Sequence, residues 1–149
     1  MKKKIICVNI FHPRDHTFYT NLLKNLNYLD IIFIIHLEEP LKKNKKIKYI
    51  NFYQKNYLEE FKNTNPRINT NDLLHEKITF GKNLKELQTK YKRYYQKYLN
   101  IIKKNKINLF VQEIGGLVAH FSSYKACKHL KVDHLFIEPG IIAGHSIFL

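Results

Sequence analysis

The segment that most constrains the fold runs from Asn108 to Leu149. It begins with an apolar stretch typical of a strand, Leu109 to Ile114, and passes through the pair Gly115-Gly116 into a helix-like run that ends near Leu130. A second apolar stretch then leads to Glu138-Pro139-Gly140. Strand, glycine turn, helix and strand in this order form the unit from which parallel sheets are built.

The rest of the chain alternates in the same way. The longest predicted helix carries its apolar residues at 3-4 spacing, as one stripe: Leu84, Leu87, Tyr91, Tyr94, Tyr98 and Ile101. The predicted strands cover residues 4–11, 31–37 and 48–53, and the predicted helices cover 15–28, 57–61, 71–75 and 82–104. This order predicts an α/β fold: a Rossmann-like, open, mostly parallel sheet with helices on both faces, in three layers and one domain spanning residues 1–149.

The net charge of +14 is the compositional feature that first suggests nucleic acid. However, the chain contains only three arginines, Arg14, Arg67 and Arg93, and arginine is the better reader of phosphates and bases. The tyrosines of the helix over 82–104 also fall on its apolar stripe, which indicates a core position. A basic nucleic-acid-binding domain using this helix is therefore only the third hypothesis.

Several classes of protein are disfavoured by simple patterns. The longest apolar run, Ile31 to Ile35, is far shorter than the roughly 20 residues of a membrane helix. No signal-peptide cleavage pattern follows the cluster Lys2-Lys3-Lys4, so we expect a cytoplasmic protein. Cys7 and Cys127 lack metal-site spacing and are expected to be buried free thiols. We expect no metal and no cofactor.

The first candidate site is the loop Phe11 to His16, which follows the first predicted strand. Ligands of open α/β sheets bind outside the carboxyl ends of the strands. His12, Arg14, Asp15 and His16 could there form an anion clamp with a general base. The alternative is an ordinary polar turn with a helix cap, supplied by Asp15 or Thr17.

Two further candidates follow later strands. Gly115 and Gly116, after Glu113, could present N–H groups at a helix N-terminus to an anion, although tight backbone geometry would also explain the glycines. They match neither the dinucleotide-binding nor the P-loop pattern. Glu138, which ends a predicted strand, could be a desolvated base, and Gly140 and His145 follow it. The alternative is a strand-ending turn in which Glu138 accepts hydrogen bonds from loop N–H groups.

The last third of the chain resembles the N-terminal half of GT-B glycosyltransferases, especially bacterial capsule-polysaccharide biosynthesis proteins. The resembling residues are the strand Leu109 to Glu113, Gly115-Gly116, the helix containing residues 124–130, and the strand that ends at Glu138-Pro139-Gly140. In that family the N-terminal domain holds the acceptor and usually an acid or base, and the C-terminal domain binds the nucleotide-sugar.

The resemblance implies an acceptor-side domain of a cytoplasmic glycosyltransferase for surface polysaccharide, inactive alone. Glu138 and His12 would be catalytic; the acceptor would be a glycan or lipid-linked molecule, with peripheral contact to the inner membrane surface. Nucleotide-sugar would bind only through a missing C-terminal domain, and the apolar end Ile147-Phe148-Leu149 fits a truncated product. The second hypothesis is a self-contained α/β binding or regulatory module, which would bury that end in its own domain.

Overall fold

The computed structural model describes residues 3–38, 41–54, 64–139 and 146–148. Within these ranges the strands are β1 (Lys4–Ile10), β2 (Leu29–Ile35), β3 (Ile47–Asn51), β4 (Leu109–Glu113), β5 (Asp133–Pro139) and β6 (Ser146–Phe148). The α-helices are α1 (Pro13–Leu23), α2 (Leu74–Phe80), α3 (Leu84–Asn105) and α4 (Val118–Leu130), and the 3-10 helix Thr70–Leu73 precedes α2.

The strands form one sheet in the order β3-β2-β1-β4-β5-β6. The first five are parallel, and β6 runs antiparallel to β5. This order places β1 at the centre, so that the connections run outward first to β2 and β3 and then to β4 and β5. The predicted α/β, Rossmann-like class is confirmed. The short strand β6 was not predicted, and the turn before it, residues 140–145, lies outside the described residues.

Helices cover both faces of the sheet, as predicted, because successive side chains of each strand point to opposite faces. Cys7 and Phe110 belong to the core under α3 and α4, whereas the neighbouring Val8 and Val111 belong to the core under α1. Because the strands are apolar at successive positions, both faces of the sheet are apolar. Cys7 and Cys127 are buried free thiols, which confirms their predicted state.

The long helix α3 confirms the stripe read from the sequence. Leu87, Tyr91, Tyr98 and Ile101 are buried in the core, and Leu84 and Tyr94 pack against it. The small residues of α4 are also buried, with Ser123 and Ala126 fully enclosed. Small side chains at these positions let α4 lie close to the sheet, which brings its N-terminus to the end of β4.

Some boundaries differ from the prediction for local reasons. Helix α1 begins at Pro13, whose fixed φ suits the first helical position, and its cap is His12 instead of Asp15 or Thr17. It ends at Leu23, five residues early. Asn69 caps the 3-10 helix. The turn predicted over 57–61 falls outside the described residues, and no helix within the described part is long and apolar enough to cross a membrane.

Candidate functional site

The strand order reverses between β1 and β4. Open α/β sheets bind ligands in the crevice at this point, outside the carboxyl ends of the strands. The loop after β1 enters α1 on one face, and the loop after β4 enters α4 on the other. His12, Arg14 and Asp15 lie in the first turn of α1 or just before it, and Glu113 is the last residue of β4. We call these four residues the switch-point site.

The backbone of the switch-point site is held by a helix cap. The Nδ1 atom of His12 accepts a hydrogen bond from the Arg14 N–H (3.1 Å), and Asp15 Oδ2 accepts from the N–H groups of His12 (2.7 Å) and Phe11 (3.0 Å). The capping alternative is therefore present. The cap uses only Nδ1 of His12, and the Arg14 side chain is exposed. The predicted binding of a ligand by these two residues therefore stays a prediction.

Glu113 is the chemically most unusual member of the site. It lies half-buried on the α1 face, and among the described residues it has neither a hydrogen bond nor an ion pair. Burial raises the pKa of its carboxyl group, and nearby Asp15 raises it further, against the opposing charges of Arg14 and His12. A half-buried carboxyl without a partner, in a ligand-binding position, is typical of a functional acid or base.

Tyr19 lies close to the same carboxylates. Its ring is 1% exposed and its hydroxyl has no hydrogen-bond partner. Burial raises the pKa of this hydroxyl, and Glu113 and Asp15 raise it further, so Tyr19 stays protonated as a donor. Tyr19 could not be recognised from the sequence, because its position on the buried stripe of α1 looks like that of any core aromatic residue.

His16 does not join the switch-point site. It is buried between α1 and the sheet, where its Nε2 lies 3.0 Å from the Tyr49 hydroxyl and its ring contacts Phe33 edge-on. The same hydroxyl accepts a hydrogen bond from the Asn44 N–H (2.9 Å), which leaves its own proton to donate to His16. Burial lowers the pKa of His16, in agreement with a neutral ring.

Gly115 and Gly116 are explained by close packing of two histidines. A Cβ at Gly115 would overlap the ring of His120, and a Cβ at Gly116 would lie 2.5 Å from Cγ of His75. Neither glycine has a positive φ, so access to the left-handed region is not the reason for them. The tight-geometry alternative accounts for both residues.

The N-terminus of α4 already binds a carboxylate of this chain. The Val118 N–H donates to Glu76 Oε1 (2.7 Å), and Lys90 Nζ donates to Glu76 Oε2 (2.7 Å). Glu76 is 3% exposed and takes the place in which an external anion was predicted. Because Glu76 lies 42 residues before Val118, no local pattern could indicate this contact.

A buried polar network lies behind the switch point, on the face covered by α3 and α4. Asn9 Nδ2 donates to Gln112 Oε1 (2.7 Å), which also accepts from Ser123 Oγ (2.7 Å). On the other side, Asn9 Oδ1 accepts from the Tyr98 hydroxyl (3.2 Å) and lies 3.2 Å from His36 Nε2. The network joins β1, β4, α3 and α4 with His36, the residue that follows β2. Asn9 and Gln112 interrupt apolar strands, and this was the available sequence signal.

Phe11 separates two neutral histidines at this edge. Its ring centroid lies 4.3 Å from that of His36 and 4.4 Å from that of His120. Burial lowers the pKa of His36 well below its usual range, with help from His120, Lys97 and Lys90. Burial also lowers the pKa of His120 to about 4; His75 adds to this, and Glu76 opposes it. Their proximity therefore involves no charge repulsion at neutral pH.

The remaining predicted residues lie at the end of β5. The backbone of Glu138 is paired with that of Ile147, and its side chain, like Gly140 and His145, lies outside the described part of the chain. No group of three or more metal-binding side chains occurs in the part that is described. Comparisons with protein-family models, curated proteins and solved structures find no match to this chain.

Proposed function

We propose that this chain is the acceptor-side domain of a glycosyltransferase that acts in surface or capsular polysaccharide biosynthesis. The observation that carries the proposal is Glu113, which lies beside Arg14 and His12 at the point where the strand order reverses. Its carboxyl is half-buried and has no hydrogen bond to any residue that the structure describes. The resemblance of residues 109–140 to the N-terminal half of GT-B enzymes supports the same function. In this proposal Glu113 is the general base.

Activation of the acceptor is the step that this site would perform. Glu113 takes the proton from an acceptor hydroxyl while that oxygen attacks the anomeric carbon of a donor sugar, and the nucleotide diphosphate leaves with the electron pair of the broken bond. A carboxyl group is a better base near neutral pH when its pKa is raised. Glu138 and the free Nε2 of His12 remain the other candidates for this role.

The acceptor class follows from the charges at the site. Arg14 is exposed and forms no ion pair in the described residues, so it can bind a carboxylate or phosphate of the acceptor. An anionic glycan or a lipid-linked acceptor fits both this residue and the net charge of +14. We place the protein in the cytoplasm with peripheral contact to anionic lipid at the inner membrane surface. The nucleotide-sugar would bind elsewhere, on a second domain.

The test is a calorimetric titration of residues 1–149 with tetragalacturonate, maltotetraose and UDP-glucose. We expect saturable binding of the anionic tetrasaccharide, weaker binding of the neutral one, and none of UDP-glucose. Arg14→Gln should weaken tetragalacturonate binding about tenfold, which corresponds to one charge-assisted hydrogen bond. Arg93→Gln, which removes an exposed arginine on α3, is the matched control and should leave the affinity within twofold. Tight UDP-glucose binding would contradict the proposal.

A self-contained α/β binding module is the second candidate, and β6 is the observation that favours it. Residues 146–148 pair with β5 as an antiparallel strand of the same sheet. The burial that this hypothesis expects for Ile147, Phe148 and Leu149 concerns side chains outside the described part of the chain. The binding-module hypothesis would replace the glycosyltransferase proposal if the chain bound a small anion at Arg14 but bound neither tetragalacturonate nor maltotetraose. The nucleic-acid hypothesis is weaker, because Tyr91, Tyr95 and Tyr98 of α3 are buried and cannot stack on bases.

A further inference from the structure

A basic cleft lies away from the switch-point site, on the outer surface of the α3 and α4 layer. Its volume is about 640 Å³, and it is formed by residues 66–70, one side of α4 and Tyr95 of α3. Four of its lining side chains are basic: Arg67, Lys125, Lys128 and His129. None of its lining residues belongs to the switch-point site.

Among the described residues, the positive charge of the basic cleft has no acidic counterpart, because no aspartate or glutamate is among those that line it. The ion pairs formed among described residues, Lys3–Asp30 and Lys90–Glu76, involve none of its cations. Lys128 and His129 lie in the last turn of α4, where cations stabilise the helix dipole. That effect falls off within one turn and does not account for Arg67, which belongs to the loop.

The imidazole of His129 in the basic cleft is held in place by a hydrogen bond to the buried Tyr95. The Tyr95 hydroxyl lies 2.8 Å from Nδ1 of His129, and Tyr95 itself is 4% exposed. Burial raises the pKa of this hydroxyl, so that it remains a protonated donor. Donation from Tyr95 to Nδ1 leaves the proton of a neutral His129 on Nε2, where it can be donated to a ligand. The planar guanidinium of Arg67 can add two parallel donors.

We propose that the basic cleft binds a phosphate-bearing ligand of about the size of a pyrophosphate group with its attached moiety. The volume lies within the usual range of small-molecule sites. The cations surround one concave site and do not form a stripe along α3, which favours a compact phosphate group over a nucleic-acid polymer. The phosphate could come from a soluble ester or from the headgroup of a lipid, and both present the same chemistry to Arg67, Lys128 and His129.

Isothermal titration with sodium pyrophosphate tests the proposal directly, and Arg67→Gln and Lys128→Gln are the informative variants. Each should weaken binding about tenfold, because each removes one charge-assisted contact. Arg93→Gln, which removes an exposed arginine of α3 that lies in neither site, is the matched control and should bind like the unmodified chain. Circular dichroism establishes that all variants are folded.

Flotation with vesicles separates the two sources of phosphate. Binding to phosphatidylglycerol vesicles but not to phosphatidylcholine vesicles, lost in Arg67→Gln, would support the lipid source; pyrophosphate binding lost in the same variant would support the soluble one. The proposal is overturned if neither probe binds, or if binding persists unchanged in Arg67→Gln and Lys128→Gln. If the chain binds duplex RNA but not pyrophosphate, and Arg67→Gln and Lys128→Gln do not weaken RNA binding, the proposal is also overturned, because diffuse surface charge would then explain the binding. The glycosyltransferase proposal is tested with a different probe and variant, tetragalacturonate and Arg14→Gln, so the two outcomes stay distinguishable.

Discussion

At the scale of single residues, Glu113 combines a functional position with a cost in stability. Its pKa is raised in the folded protein, so the charged form is less favourable there than in the unfolded chain. The contribution of Glu113 to stability is therefore full below the ordinary carboxyl pKa and is lost as the pH rises through the folded pKa. Functional sites commonly carry such a cost.

Glu113→Gln should therefore stabilise the protein slightly at pH 7. We expect a gain of below about 1 kcal/mol, because the side chain is only half-buried and solvent screens much of the effect. Urea unfolding measures the change. Asp30→Asn, at the opposite edge of the sheet with its carboxylate 59% exposed, is the control and should stay within about 0.5 kcal/mol. A clear loss of stability in Glu113→Gln would show that its carboxylate has a stabilising partner.

Gly115 is the residue at which the close packing of His120 can be tested. Gly115→Ala should destabilise the protein by about 1–3 kcal/mol, because the new methyl group overlaps the imidazole ring. Gly81→Asn is a suitable comparison: Gly81 has φ +61° with open space around it, and asparagine tolerates this conformation. It should change the unfolding free energy by less than about 0.5 kcal/mol. Equal effects of the two substitutions would refute the packing explanation.

At the scale of elements, periodicity predicted most of what was observed. The 3-4 stripe of α3 and the apolar strands are local patterns, and the structure confirms them. The capping of α4 by Glu76 was beyond prediction, because it joins α2 to α4 across 42 residues. Its consequence is that the helix N-terminus predicted to bind an anion after Gly115-Gly116 already has an internal ligand.

Lys90→Met tests this internal ligand. It leaves the carboxylate of Glu76 buried without its counter-charge, and we expect a loss of about 2–3 kcal/mol at pH 7, below the cost of breaking a fully buried pair because Lys90 is partly exposed. Thermal unfolding at pH 7 measures the loss, and Lys85→Met on an exposed part of α3 is the control, which should stay within about 0.5 kcal/mol. A loss in Lys90→Met no larger than that in Lys85→Met would contradict this role of the ion pair.

At the scale of the whole molecule, the sheet order explains why the site lies where it does. The sequence indicated the α/β class, and it pointed to the loop after β1 and to Glu113, with the glycines that follow it, as candidate sites. It could not show that His16 turns into the core toward Tyr49, or that Asn9, His36, Tyr98 and Gln112 meet behind the switch point, because these contacts depend on strand order. Single polar residues within apolar strands were the only local sign of that network.

The buried histidines give the whole molecule a predictable pH dependence. The pKa of His36 lies well below its usual range, and the pKa values of His120 and His134 are lowered to about 4 by burial. An unfolded chain binds protons near pH 6.5 that the folded chain does not, so stability is full above that pH and falls as the pH drops toward 4. His120 alone could account for up to about 3 kcal/mol.

Urea unfolding at pH 7.5, 6.0 and 4.5 measures this dependence. The midpoint should fall steadily over the range, and His120→Gln should make the decline shallower. A midpoint that stays constant between pH 7.5 and 4.5 would mean that these rings are accessible to protons in the folded protein.

The most direct test of the central claim is a map of where an acceptor binds, by 15N–1H correlation spectra of the chain titrated with tetragalacturonate. The account predicts shifts concentrated at the amides of residues 11–15 and 113–116, lost in Arg14→Gln and retained in Arg67→Gln. Shifts confined to residues 66–70 and 125–129, or no shifts at all, would contradict the assignment of the switch-point site as the acceptor site.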